Sequence, residues 1–105
     1  MRACATADEM HDHLSLITMI APSPDWFTGA SMIELCDYET GMWKETIDYD
    51  AMAYDAGTDA GMTFITPDVM EDPAKPISMI ACGDADAFCD SGAIKPVATI
   101  TVTKM

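Results

Sequence analysis

Positive charge is scarce in this sequence: 5 Lys plus Arg stand against 18 Asp plus Glu, a formal net charge of −13. Nucleic acid, heparin-like polymers and anionic lipid all need cationic surface, and only Arg2, Lys44, Lys75, Lys95 and Lys104 supply it. Polyanion partners, nucleic acid among them, are not expected. No apolar run approaches the roughly 18 residues of a membrane-crossing helix, so membrane insertion is not expected either. The opening residues, Met1 to Glu9, lack the apolar stretch of a secretory signal. The sequence has no C-x-x-C, which speaks against a zinc-ribbon pair, and no G-x-S-x-G elbow for a serine hydrolase. His11-Asp12-His13 would project two imidazoles together from a strand, but no third zinc ligand is at hand. An enzyme is not expected.

Among what is present, half of the 105 residues are hydrophobic, enough for one core and one domain spanning residues 1–105, with 1–12 expected to be flexible. Pro and Gly recur too often for long helices, and the apolar residues follow strand spacing. Leu14 to Ile20 reads as a buried strand ended by Pro22 and Pro24. Met32 to Cys36 and Trp43 to Tyr49 flank the turn-rich Asp37 to Gly41, which predicts a hairpin with one wet face. Asp50 to Gly61 reads as an acidic loop, followed by short strands at Met62–Ile65 and Ile77–Ile80. Val97 to Thr103 places Ala98, Ile100 and Val102 on one face and threonines on the other. The fold class expected is all-β, an antiparallel β-sandwich. The methionines are spread singly and read as core filler.

Four cysteines, Cys4, Cys36, Cys82 and Cys89, allow three complete pairings in an oxidising compartment and none in a reducing one. The loop between Cys82 and Cys89 is long enough to close on itself, so that pair is the natural local disulfide, with Cys4 and Cys36 as the complementary pair.

Two loops gather carboxylates. In Tyr54-Asp55-Ala56-Gly57-Thr58-Asp59-Ala60-Gly61 the glycines permit tight reversals, so that Asp55 and Asp59 can bend toward one point. Such an oxygen-lined, anionic point suits calcium. It is not an EF-hand, because counting from Asp55 puts Ala60 and Thr66 where a glycine and a glutamate belong. The alternative is a turn closed by Asx hydrogen bonds. In Ala21-Pro22-Ser23-Pro24-Asp25-Trp26-Phe27-Thr28-Gly29, prolines stiffen one side of Asp25 and aromatics anchor the other, so its carboxylate is held at low entropic cost.

The strings PSPDWF and DAGTD, in this order and separation and with Trp43 between them, resemble the spondin domain, an extracellular module of the F-spondin and mindin type. The likeness runs from about Leu14 to Ile80, with Lys95 to Lys104 similar to the closing strand. It implies a C2-like antiparallel sandwich holding one calcium ion between loops, with Asp25, Asp55 and Asp59 as the metal ligands. Set beside such a domain, the sequence is expected to match only its C-terminal part and to be incomplete on the N-terminal side. Open sheet edges would then be covered by self-association.

The function expected is a secreted or cell-surface calcium-binding module for adhesion or for binding a protein or cell-surface ligand, without catalysis. The alternatives are a β-domain without metal, whose acidic loops are only structural, and a hydrolase using a metal-activated water.

Overall fold

Alternation of inward and outward side chains sets the strands. The structure is a computed structural model describing residues 1–105, the side chain of Asp86 excepted. In chain order the strands are β1 (His13–Met19), β2 (Trp26–Glu34), β3 (Cys36–Asp37), β4 (Met42–Trp43), β5 (Thr46–Ala51), β6 (Ala53–Asp55), β7 (Ser78–Met79), β8 (Cys89–Asp90), β9 (Ala93–Ile94) and β10 (Ala98–Thr103), with a 3-10 turn at Asp86–Phe88. The protein is all-β.

The main sheet has the order β1-β2-β6-β7, and every pairing in it is antiparallel. β1 turns Leu14, Leu16 and Thr18 partly inward and leaves Ser15, Ile17 and Met19 exposed. A bulge interrupts its register with β2 between Leu14 and Leu16. There Met32 adopts a left-handed φ of 57°, and its amide donates to the Ser15 hydroxyl at 2.9 Å, satisfying a donor the ladder has dropped. Three two-stranded ribbons complete the fold: β3 with β4, β5 with β10, and β8 with β9. These several antiparallel sheets make a β-sandwich-like arrangement.

One face of the main sheet carries the core. Trp26, Ala53, Ile80, Ala85 and Phe88 are buried together, with Ile20, Ile94 and Val97 packed against them. Trp26, only 2% exposed, meets the edges of Phe88 at 5.3 Å and Phe64 at 5.5 Å between ring centroids. Phe64 and Phe88 meet in the same edge-to-face manner at 5.6 Å, the orientation that aromatic quadrupoles favour. The Cys82–Cys89 disulfide, with its Cα atoms 5.3 Å apart, closes the loop that delivers Phe88 to this cluster.

Several sequence expectations change. Cys4 and Cys36 are free thiols, not a second disulfide; Cys36 belongs to the short β3–β4 ribbon, while Cys4 lies exposed in the first residues. The expected hairpin shrinks to that ribbon, because Thr46–Ala51 pairs with Ala98–Thr103 instead. Trp26 to Ser31, expected to be largely loop, is strand, and so is Ala53–Asp55 within the acidic segment. Met62–Ile65 is not a strand; it serves to bring Phe64 to Trp26.

Candidate functional site

The two acidic loops meet at one end of the main sheet. The first is closed on itself: Ile20 N–H donates to Trp26 C=O at 3.0 Å, the Trp26 amide donates to the Ser23 hydroxyl at 3.1 Å, and that hydroxyl donates to Ile20 C=O. This fixes Asp25 immediately before β2. Its Oδ2 accepts three hydrogen bonds from the second loop: Thr58 N–H at 2.7 Å, Thr58 Oγ1 at 2.9 Å and Asp59 N–H at 3.0 Å. Bonds to an ionised carboxylate are stronger than neutral ones, so Asp25 acts as a clamp across 33 residues of sequence. The Ala56 amide adds a bond to the Asp25 carbonyl at 3.3 Å.

The second loop shapes itself. Asp55 Oδ1 accepts from Gly57 N–H at 2.6 Å, and Asp59 Oδ1 from Gly61 N–H at 2.8 Å, the Asx turns that the spacing allowed as an alternative. Gly57 has φ +80°, and a Cβ there would lie 2.0 Å from the Lys75 carbonyl oxygen, so glycine is required twice over. Gly61 shows no such φ. Its role is space, since a Cβ would strike Thr66 and Pro24, the latter on the first loop.

The returning segment 69–75 packs against this loop through Ala60 N–H to Val69 C=O, Glu71 N–H to Thr58 C=O and Lys75 N–H to Gly57 C=O, at 2.8 to 2.9 Å. Together these segments line a cleft of about 280 Å³. Asp55, Asp59, Glu71, Asp84 and Lys75 line it alongside the apolar Trp26, Ile80 and Ala85. Lys75 pairs with Glu71 at 2.6 Å and is itself well exposed. Burial pushes the Asp55 carboxyl above its ordinary range; the like charges of Asp25 and Glu71 add to this, against the Gly57 hydrogen bond and Lys75.

Of the three predicted ligands, Asp55 and Asp59 line the cleft and Asp25 lies behind its wall, holding the loop. Sequence reasoning missed Glu71 and Asp84. Glu71 arrives on a proline-flanked return whose path has no local signal, and Asp84 arrives on the disulfide loop. The fit to calcium is poor as the side chains stand. Each of the three aspartates spends one oxygen on backbone amides. Among the described residues, no group of three or more His, Cys, Asp or Glu side chains is placed to hold a metal ion. One observation runs the other way: Asp25 Oδ1 is buried and has no hydrogen-bond partner.

The Asp25 loop and the Asp55–Gly61 loop, which carry the two quoted strings, therefore interlock. A profile described as Spondin_N matches residues 1–90. The chain belongs to the Spondin_N family. "Spondin-2" of Rattus norvegicus is 33% identical over 101 residues, covering 90% of this chain and 30% of that protein. "Spondin-1" of Gallus gallus is 34% identical over 113 residues, covering all of this chain and 14% of that protein. The chain thus spans less than a third of the length of these curated relatives. The Spondin_N match corrects the expectation of a likeness confined to the domain's C-terminal part. It takes in the residues ahead of Leu14 and stops at Asp90, leaving out β10, where a closing strand was expected.

Proposed function

We propose that this chain is an extracellular, non-catalytic spondin-type module that binds a protein or cell-surface ligand, and that its acidic loops are structural. The extracellular setting is supported by the family and by the Cys82–Cys89 disulfide, which persists in oxidising compartments. A C2-like strand arrangement belongs to the same proposal. The observation that carries the structural role of the loops is the Asp25 clamp: one carboxylate oxygen satisfies two amides and a hydroxyl of the opposing loop. Removing it leaves those donors without their acceptor, at a cost of about 1–3 kcal/mol. Asp25→Ala should therefore lower the unfolding free energy measured in urea by that amount in calcium-free buffer. No change there would sink the reading.

Calcium held by Asp25, Asp55 and Asp59 is the second reading, favoured by the buried, unpartnered Asp25 Oδ1. It requires Asp55 and Asp59 each to direct a carboxylate oxygen to the same centre. A melting transition compared in calcium and in EDTA at matched ionic strength separates the two readings, because a ligand of the folded state raises the midpoint by mass action. Equal midpoints leave the loops as structure alone; a rise that is lost in Asp59→Asn establishes the metal.

A further inference from the structure

β5 and β10 make a sheet of two strands only. Such a ribbon is marginal by itself, and a third strand is what ordinarily makes a sheet durable. Its ladder fixes which backbone groups remain free. The Lys104 amide donates to the Glu45 carbonyl at 2.9 Å. Hydrogen-bonded pairs recur at every second residue of an antiparallel register, so Ile47 with Val102 and Tyr49 with Ile100 exchange the ladder bonds. The N–H and C=O groups of Thr46, Asp48 and Asp50 therefore point away from β10. Among the described residues no other strand pairs with this edge. The ladder with β2 ends at Ala53, and the Thr28 hydroxyl takes the next carbonyl, that of Met52, at 2.6 Å.

The side chains along the edge select what fits it. Asp48 and Asp50 stand on one face of β5, both exposed, with the exposed Glu45 just before them. The Thr101 hydroxyl donates to Asp48 Oδ1 at 2.8 Å on that face. Ile47, Tyr49 and Ala51 stand on the other face. Cross-strand neighbours stabilise a sheet when opposite in charge and weaken it when alike. A second copy's β5 would set aspartates against aspartates. Nor has this chain any segment of alternating cations, since Arg2, Lys44, Lys75, Lys95 and Lys104 are never two residues apart.

We infer that the free edge of β5 is a docking site for an extended, cationic segment of another protein, with Lys or Arg at alternate positions and apolar residues between them. Added as a third strand, the segment bonds the outward N–H and C=O groups of Thr46, Asp48 and Asp50. Its cations lie beside Asp48 and Asp50, and its apolar residues beside Ile47 and Tyr49. This names the partner chemistry for the binding role proposed above and rests on that role. The Asp25→Ala measurement does not involve this edge, so either can fail alone.

The probe is a blocked heptapeptide alternating lysine with valine, titrated into the full chain at an ionic strength that screens charges beyond about 8 Å. At about ten times its Kd, hydrogen exchange at the Thr46, Asp48 and Asp50 amides should slow roughly tenfold, by mass action. The amides of Thr99, Thr101 and Thr103, on the far edge of β10, should keep their rates. Alternate N-methylation of the peptide keeps its charge and removes its backbone donors; it should weaken binding at least about tenfold. Asp48→Lys with Asp50→Lys should weaken it as much, and Asp48→Asn with Asp50→Asn replaces that pair should it not fold. No slowing at the three β5 amides overturns the inference. So does slowing on β10 instead, equal binding of the N-methylated peptide, which would mean charge attraction alone, or equal binding of a peptide with glutamate in place of lysine.

Discussion

The Trp26 end of the molecule and the β5–β10 ribbon are both antiparallel β-structure, yet they are held in different ways. At the Trp26 end, side chains close the backbone: Ser23 and Asp25 bond loop amides, three aromatics interlock, and a disulfide ties off the loop between Cys82 and Cys89. The ribbon relies on its ladder. Across it the Asp48–Thr101 hydrogen bond at 2.8 Å and the exposed Lys104–Glu45 pair at 3.4 Å are its cross-strand side-chain bonds. Stability is therefore concentrated where short loops must be held in one shape, and is spread thinly where two long strands need only meet.

The sharpest way to break this contrast is Trp26→Ala. It empties the space shared by Phe64 and Phe88 and should cost about 3–5 kcal/mol in urea denaturation; a loss below 2 would mean that the aromatic cluster is not the centre of stability. Next comes Cys82→Ser with Cys89→Ser. Opening so short a loop should cost about 2–3 kcal/mol on the chain-entropy account, and the loss should be accompanied by lower protection of the Phe88 amide in hydrogen exchange. On the ribbon, Thr101→Val removes one exposed hydrogen bond and should change stability by less than about 1 kcal/mol; a larger loss would show that the ribbon, too, depends on side-chain bonds.

The smallest effect concerns Tyr38, whose hydroxyl donates to Asp12 Oδ2 at 2.8 Å. That bond, with burial second and neighbouring negative charge after it, pushes the phenol up to about 12. Since the folded value is raised, the contribution is fully present below the ordinary phenol range and is lost as pH rises through about 12. Stability should be flat in this respect through neutral pH. Phenolate absorbance, differenced against Tyr38→Phe, should show Asp12→Asn shifting the midpoint back down.

The same contrast explains which parts were legible in the sequence. β10 carries clean alternation and β1 is an apolar run ended by prolines, and both appear within a residue of their expected bounds, although Ser15, Ile17 and Met19 of β1 are exposed where a buried strand was expected. The first half of β2 was hidden because both of its faces are apolar and it follows a proline loop, so no period of two shows. Ala53–Asp55 is a strand by virtue of pairing with β2, a fact that no local residue announces. Met62–Ile65 has strand-like composition, but Phe64 is drawn into the aromatic cluster instead. At the candidate site, the convergence of the Asp25 and Asp55–Asp59 loops could be read from their motifs, whereas the destination of each carboxylate oxygen could not. That is decided by amides 33 and 34 residues away and by a returning segment that also brings Glu71.

Trp26 occupies a boundary, one side lining the carboxylate cleft and the other meeting Phe64 and Phe88. Its indole is consequently a built-in optical probe of both. With Trp43 on the β3–β4 ribbon replaced by phenylalanine, emission from the single remaining tryptophan would register loop rearrangement from one side and loosening of the disulfide loop from the other, without any added label.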